Sequence, residues 1–324
     1  MRKRASSGDK ALAQASKGLP ALREALALAS GFARAEKAPN TRRAYRSDFA
    51  LFETWCARHR VTALPARPET LAAFIATEAL RSKASTIQRR MAAIRHAHKL
   101  AGLPSPTDDE RVKATARGIR RTIGAATAQK APATRDRILA MVAGKDRSIA
   151  DLRDRALLLL GFAGAFRRSE LVALDVTDIV VTRQGMRVFI RRSKTGQDCA
   201  GATIAIARGK RACPVKALNA WLAAATIAKG PLFRRVNKAG RVLPDRLTAQ
   251  SVALIVKARA RRAGLAAEQF SAHSLRAGFL TSAAKSGASI FKMMDVSRHR
   301  SVQTLKGYIR DDELFANHAG SGLL

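Results

Sequence analysis

Two short segments of this chain carry residue types that a side-chain attack on a phosphodiester requires. Tyr308 is one of only two tyrosines, and His299 precedes it by nine positions. Upstream lie His273 and Arg276, three residues apart. Such an attack needs a nucleophilic oxygen, cations to hold the non-bridging oxygens and a proton donor for the leaving oxygen. The set therefore predicts covalent phosphoryl transfer.

His273 and Arg276 fall one turn apart at the start of a predicted helix, so their side chains share a face. Arg276 can clamp phosphate oxygens, and His273 can hydrogen-bond the phosphate or exchange a proton near neutral pH. A phenol has an ordinary pKa of about 10, so Tyr308 needs nearby cations to attack as phenolate. Taken singly, these residues also fit structural roles, such as a capping histidine or a half-buried aromatic on a helix with Leu305 and Ile309.

Two more cations complete the predicted site. Arg167 lies in the run 166–171, Phe-Arg-Arg-Ser-Glu-Leu, and its guanidinium can bind a phosphate through two hydrogen bonds, which a lysine cannot do. Lys194 occupies a predicted hairpin turn at 193–196, where its ammonium can protonate a leaving 5′ oxygen. Three neighbouring cations are rivals for that role: Arg191, Arg192 and Lys210.

The charge of the chain indicates the substrate class. Lys and Arg number 60 against 24 Asp and Glu, giving a net charge of +36, and the pI is near 11.6. The basic residues are spread along the whole chain, so an extended surface is expected to meet the phosphates of double-stranded DNA. The alternative explanation is a generally basic proteome in which arginines cover solvated faces.

The elements that must position these groups fall into two regions. Residues 37–124 carry four helical patterns, which begin at Asn40 or Thr41 as N-cap, after Pro68, at Ser85 and at Asp108. Their predicted apolar positions are Tyr45, Phe49, Phe52 and Cys56; Leu71, Phe74, Ile75 and Leu80; and Ile87, Met91, Ile94 and His98. Their outward faces carry the candidate DNA-binding residues Arg42, Arg43, Arg46, Lys83, Arg89, Arg90, Arg95 and Lys99.

The second region, residues 135–324, is predicted to be helical around a small antiparallel sheet. Alternating β-branched segments cover 178–182, 186–191 and 202–207, with turns at 184–185 and 193–196. Helices are predicted over 135–143, 149–162, 171–174, 214–221, 248–263, 274–286, 289–296 and 301–309. The fold class is therefore mainly α with a small antiparallel β-sheet. Residues 1–36 are predicted to form a flexible basic arm, with one short helix around Leu19–Leu28, and 125–134 a linker.

Several classes are disfavoured by the sequence. Cys56, Cys199 and Cys213 are far apart and suggest neither disulfides nor zinc. No apolar run is long enough to span a membrane, and the N-terminus does not read as a secretory signal. We therefore expect a cytoplasmic, nucleoid-associated protein without membrane contact.

The combination of Arg167, Lys194, His273, Arg276, His299 and Tyr308, in this order and spacing, resembles the tyrosine recombinase, or phage integrase, family. The resemblance covers nearly the whole chain outside the arm. It implies an all-helical core-binding (SAM-like) domain and a catalytic domain that together form a C-shaped clamp on duplex DNA. It further implies site-specific cutting and rejoining through a 3′-phosphotyrosine, without ATP, metal or other cofactor.

Within that resemblance, Tyr308 would be the nucleophile and Lys194 the general acid. Arg167 and Arg276 would neutralise charge on the phosphate, while His273 and His299 position it and manage the proton. The protein is expected to act as a homotetramer on two DNA sites, together with accessory DNA-bending proteins. The tail 311–324 is expected to dock either on its own domain or on a neighbouring protomer.

The chain departs from the family pattern at Arg298, where glycine is usual, and at Ala277, where histidine is frequent. Two other functions stay open at this point: nicking and religation like a type IB topoisomerase, and DNA binding without catalysis. A metal-dependent nuclease fits less well because no carboxylates cluster in the sequence. The sequence does not specify the DNA site or distinguish integration, excision, resolution and transposition.

Overall fold

The computed structural model describes residues 22–124, 129–144, 148–191 and 201–308. The chain divides into two compact units, Met1–Thr127 and Ala128–Leu324. Within the described ranges no helix combines the length and apolar character needed to cross a bilayer.

The described part of the first unit contains helices and connecting loops but no strands. Its helices are α1 Leu22–Ala35, α2 Pro39–Arg58, α3 Pro68–Ala79, α4 Ala84–Leu100 and α5 Glu110–Ile123, with a 3-10 turn at Pro106–Asp108. The helices α2–α5 correspond to the four predicted patterns. Helix α1 occupies the second half of the segment that was predicted to be an arm with a short helix ending near Leu28; it continues to Ala35.

Prolines determine where two of these helices begin. Pro39 and Pro68 each occupy the first turn, where a missing N–H costs no hydrogen bond. The prediction that Asn40 or Thr41 caps α2 is wrong, because Ala38 is the cap residue and makes no side-chain hydrogen bond. Asn40 lies inside the first turn, where its Oδ1 accepts from Arg43 Nη1 at 3.1 Å.

The predicted apolar stripes form the core of this unit, with two exceptions, Tyr45 and Leu80. Tyr45 is only partly buried, and its ring centroid lies 5.5 Å from that of His96. Phe52, Phe74 and Ile94 are fully buried, and His98 is buried among them with its Nε2 accepting from the Ala66 amide at 3.0 Å. Leu80, however, is 89% exposed, because α3 ends at Ala79 and the chain turns away from the core there.

The second unit combines helices with two small sheets. Its described helices are α6 Arg135–Met141, α7 Ile149–Ala163, α8 Arg168–Ala173, α9 Pro214–Ala224, α10 Ala249–Arg262, α11 His273–Lys285, α12 Ile290–Ser297 and α13 Val302–Lys306; its strands are β1 Ile179–Val181, β2 Gly185–Ile190, β3 Ala202–Ala207, β4 Arg234–Val236 and β5 Val242–Arg246. Helix α7 is central, since every residue of its apolar run 156–160 is buried.

The predicted sheet is present in the order β1-β2-β3 with antiparallel pairing. Its side chains alternate: Met186, Val188 and Ile190 are buried, whereas Phe189 between them is 44% exposed. The ribbon formed by β4 and β5 was not predicted. Its strands are short and arginine-rich, one contains Pro244, and they lack the alternation that marks a strand.

The end of the predicted linker belongs to the second unit rather than to a free connection. The amides of Ala131 and Ala133 donate to the carbonyls of Gln269 and Ser274 at 2.7 and 2.8 Å. Gly278 on α11 permits this approach, because a Cβ there would lie 1.9 Å from the Ala133 carbonyl oxygen. The segment is thus fixed against the helix that carries His273 and Arg276.

Candidate active site

Arg167 is positioned by the turn between α7 and α8. Ala165 in that turn has a left-handed backbone with φ of 45°, and Arg167 is the N-cap residue of α8. Glu170, three residues on, accepts from the Arg167 amide at 2.9 Å through Oε2 and from Arg167 Nη1 at 2.6 Å through Oε1. The backbone and the guanidinium of Arg167 are therefore held by one buried carboxylate.

Helix α11 begins at His273, so His273 and Arg276 project from its first turn. Arg276 is 1% exposed, and its Nη1 donates to the Ala165 carbonyl at 2.7 Å. This bond joins the second clamp arginine to the turn that delivers Arg167.

His299 follows the C-terminus of α12. Its Nδ1 lies 2.8 Å from Ser297 Oγ, whose hydroxyl donates to the Met293 carbonyl at 2.6 Å. Since the serine proton is used there, the imidazole donates from Nδ1, and Nε2 is left to accept from Arg276 Nη2 at 3.1 Å. These partners correspond to a neutral ring.

Tyr308 lies in the turn just beyond α13, not inside a helix extending to residue 309 as predicted. Its hydroxyl is 2.8 Å from His273 Nε2, and its ring centroid is 5.4 Å from that of His299. The Thr281 hydroxyl donates to the Tyr308 carbonyl at 3.1 Å, and the ring packs against the cluster of Leu280, Met293 and Leu305. The nucleophile candidate is therefore anchored to α11 by both backbone and side chain.

Burial and positive charge shape the protonation of the site. Burial of the imidazole lowers the pKa of His273, although the residue is partly exposed, and the nearby Arg276 and Arg167 lower it further. The same causes, burial first, lower the pKa of His299 to about 4. Burial and its arginine neighbours lower the pKa of Arg276 to about 10, which leaves it charged at neutral pH.

Five of the six predicted catalytic residues thus form one cluster: Arg167, His273, Arg276, His299 and Tyr308. Lys194 lies outside the described residues. Among its rivals, Arg191 is already engaged, since it donates to Asp175 and Asp178 at 2.7 and 2.9 Å. In the described ranges, no three His, Cys, Asp or Glu side chains are arranged to hold a metal ion.

Two functional candidates were missed from the sequence, Glu170 and Arg298. Glu170 had a signal, because a glutamate three residues after an N-cap is the second half of a capping box. Arg298 had been noted only as a departure. It is the C-cap of α12 with φ of 59° and ψ of 39°, and its Nη2 donates to Glu170 Oε2 at 2.8 Å. Ala277, the other departure, is a buried residue of α11.

The eight candidate DNA-binding residues differ in their surroundings. Five are exposed and form no salt bridge with the described carboxylates: Arg42, Arg43, Arg46, Lys83 and Lys99. Arg89 pairs with Asp48 at 2.7 Å, and Arg95 donates to Thr107 at 2.8 Å and to Asp108.

Arg90 does not lie on an outward face as predicted. Its side chain is 13% exposed and pairs with the buried Glu78, because a buried carboxylate needs a cationic partner. Sequence reasoning also missed a groove of about 360 Å³ between α4 and α5, to which Lys113, Arg117 and Arg120 contribute together with Arg95. Lys113, Arg117 and Arg120 follow one another at intervals of about one turn along α5, and this spacing is visible in the sequence.

Comparison with known proteins covers both units. The phage integrase family matches residues 133–314, and the phage integrase N-terminal SAM-like domain matches residues 32–102. The chain is 40% identical to an integrase/recombinase xerD homolog of Selenomonas ruminantium, over 87% of this chain and 85% of that protein. It is 28% identical to the recombinase cre of Escherichia phage P1, over 79% and 80%.

Solved structures share the fold at low identity. A lambda integrase dimer bound to a COC′ core site matches with a TM-score of 0.58 and 16% identity, over 90% of this chain and 77% of that one. The XerH site-specific recombinase in its post-cleavage complex with palindromic difH matches with a TM-score of 0.57 and 15% identity, over 79% and 72%.

Proposed function

This chain belongs to the phage integrase family of tyrosine recombinases, and we propose that it cuts and rejoins duplex DNA at specific sites with Tyr308 as nucleophile. The observation that carries the proposal is the 2.8 Å contact between the Tyr308 hydroxyl and His273 Nε2, beside the buried Arg276. A nucleophile within hydrogen-bond reach of a base, next to fixed cations, is the arrangement that phosphoryl attack requires.

In the proposed cleavage step, the Tyr308 oxygen forms a bond to phosphorus and the bond from phosphorus to the 5′ oxygen breaks. The phenol proton passes to His273 Nε2, which the lowered pKa keeps free to accept it at neutral pH. Arg167 and Arg276 hold the non-bridging oxygens, and His299 helps to position them. The leaving 5′ oxygen takes its proton from Lys194, and the product is a 3′-phosphotyrosine.

Rejoining is the reverse reaction. A 5′ hydroxyl attacks phosphorus and returns its proton to Lys194, the bond to Tyr308 breaks, and His273 returns the proton to the phenolate. Because the ester conserves the energy of the broken bond, the scheme needs no ATP, metal or other cofactor. If the attacking hydroxyl comes from a second duplex, strands are exchanged.

Double-stranded DNA is the substrate that we infer from the net charge of +36 and from relatives whose structures contain a core site or difH DNA. Residues 37–124 would serve as the core-binding domain and 135–324 as the catalytic domain, with 125–134 between them in the sequence. A homotetramer would act on two sites at the nucleoid, with accessory DNA-bending proteins, and residues 1–36 and the tail 311–324 would make further contacts.

The test is a nicked duplex carrying sequence from the genomic neighbourhood of the gene, incubated with protein and a chelator. A covalent adduct on a denaturing gel that is formed by the wild type and is absent in Tyr308→Phe supports the proposal. An adduct that persists in Tyr308→Phe refutes the nucleophile, and binding without any adduct favours a non-catalytic DNA-binding protein. Strand transfer to a second duplex, rather than relaxation alone, distinguishes a recombinase from a topoisomerase-like enzyme.

A further inference from the structure

We propose that Arg298 is a positioning residue that locks the end of α12, and with it His299, to the carboxylate that holds Arg167. This inference rests on the proposed function, because it concerns the geometry of the cleavage site. Nothing in the motif residues themselves requires an arginine at this position.

The backbone of Arg298 provides the first reason. With φ of 59° and ψ of 39°, it adopts the left-handed conformation that ends α12. Glycine adopts this conformation without strain, whereas a side chain there is disfavoured. A long side chain in such a place is retained only where its contacts compensate for the backbone strain.

Those contacts are made by a buried guanidinium. The Arg298 side chain is 8% exposed and pairs with Glu170 at 2.8 Å. Its Nη1 donates to the Val296 carbonyl at 2.6 Å, and its planar group lies 5.3 Å from the centroid of the Phe166 ring. These contacts join the Arg298 guanidinium to Glu170, to the last turn of its own helix and to the Phe166 ring.

The partner of Arg298 is shared with Arg167. Glu170 Oε1 accepts from Arg167 Nη1, while Oε2 accepts from both the Arg167 amide and Arg298 Nη2. Burial alone would raise the pKa of Glu170, but Arg298 and Arg167 outweigh burial and hold that pKa below its ordinary value. The carboxylate is therefore a charged bridge between the phosphate clamp and the end of α12.

The turn before α8 is tied to the same point. The Ala165 carbonyl accepts from Arg276 at 2.7 Å and from Arg298 at 3.4 Å. Because His299 directly follows Arg298 and contacts Arg276, a movement of Arg298 shifts His299 relative to both clamp arginines. Displacement of catalytic groups by about 1 Å can slow a reaction by about a hundredfold.

The experiment compares Arg298→Gly and Arg298→Asn with wild type, since both replacements tolerate a left-handed backbone but lack the guanidinium. We measure the first-order rate of covalent adduct formation at saturating nicked duplex, duplex affinity by a binding titration, and thermal unfolding. Both variants should cleave about 10- to 100-fold more slowly with unchanged affinity. The matched control is the exposed Arg300→Ala, in which loss of a nearby positive charge should leave the saturated cleavage rate unchanged.

A double-mutant cycle tests the route through the carboxylate. If Arg298 acts through Glu170, then Arg298→Gly should slow cleavage much less in a Glu170→Gln background than in wild type. The proposal is overturned if both variants cleave at the wild-type rate, or if Arg298→Gly slows cleavage equally in the two backgrounds. It is also overturned if a loss of duplex affinity accounts for the slower rate, or if both variants are unfolded. Failure of the proposed function is seen separately, as the absence of any adduct with the wild-type protein on a duplex that it binds.

Discussion

The cleavage rate should fall on the acid side of its pH profile as His273 becomes protonated. His273→Gln should remove this acid limb of the profile. The hydroxyl of Tyr308 lies 2.8 Å from His273 Nε2, so a protonated imidazole cannot accept the phenol proton. Loss of a general base typically slows a reaction by about 10²- to 10⁴-fold. We therefore expect a rate deficit of that size in His273→Gln at pH 7.5.

The pH at which the cleavage rate falls depends on the surroundings of the His273 ring. Burial, Arg276 and Arg167 place the pKa of His273 below its ordinary value of 6.5. In the free protein more than half of the His273 rings are then neutral at pH 6.5, and the rate should drop about tenfold per pH unit well below the pKa. His299, whose pKa is lowered to about 4, titrates in the free protein below the pH range of the assay. Bound DNA phosphate should move the midpoint upward, because an anion stabilises the protonated ring.

The assay is adduct formation from pH 5 to pH 8, at subsaturating duplex for the free protein and at saturating duplex for the complex. Duplex affinity is measured in parallel at each pH, so that changes in binding are not mistaken for changes in cleavage. A wild-type rate that is constant over this range, or the same acid limb in His273→Gln, would refute the assignment of His273 as the base.

Three further predictions concern packing, DNA contact and a buried charge. Gly278→Ala should destabilise the protein by about 1–3 kcal/mol in denaturant unfolding, because its Cβ would meet the Ala133 carbonyl; Gly118→Ala, with open space around its Cβ, should not, and equal effects would contradict this reasoning. Arg46→Ala should reduce the slope of log K against log salt by about 0.9 in duplex-binding titrations, and an unchanged slope would exclude Arg46 from phosphate contact. Glu78→Ala should cost about 1–3 kcal/mol in the same unfolding assay, because it removes the nearest acidic partner of the poorly exposed Arg90 and leaves it only Asp48, at 3.8 Å; an unchanged free energy of unfolding would contradict the inferred pairing.

The sequence predicted helices and strands well where the spacing of apolar side chains within the segment determines which residues are buried. The apolar stripe through Phe52 and Cys56 predicted the buried face of α2, and the run 156–160 predicted a helical segment of the second unit that is buried at every position. Alternation predicted β2, where Met186 and Val188 face inward. In each case burial follows directly from the period of the side chains along a helix or strand.

The differences arise where a distant partner decides the outcome. Arg90 has the spacing of an outward residue on α4, yet it turns to Glu78 because that carboxylate is buried on the neighbouring helix. The β4–β5 ribbon forms although its sequence is poor in strand signals, since the two segments pair with each other. Leu80 is apolar and in phase with α3, but the helix ends before it.

The sequence by itself determined the residue types of the site, their order, the helical and sheet content, and the basic surface. Only the tertiary structure decided that the Tyr308 hydroxyl meets His273, 35 residues away, and that Arg298 reaches Glu170, 128 residues away. Both contacts depend on how helices pack, and packing follows from the shapes of side chains that meet only after folding. A motif supplies the chemical groups, whereas the distances between them are a property of the folded core.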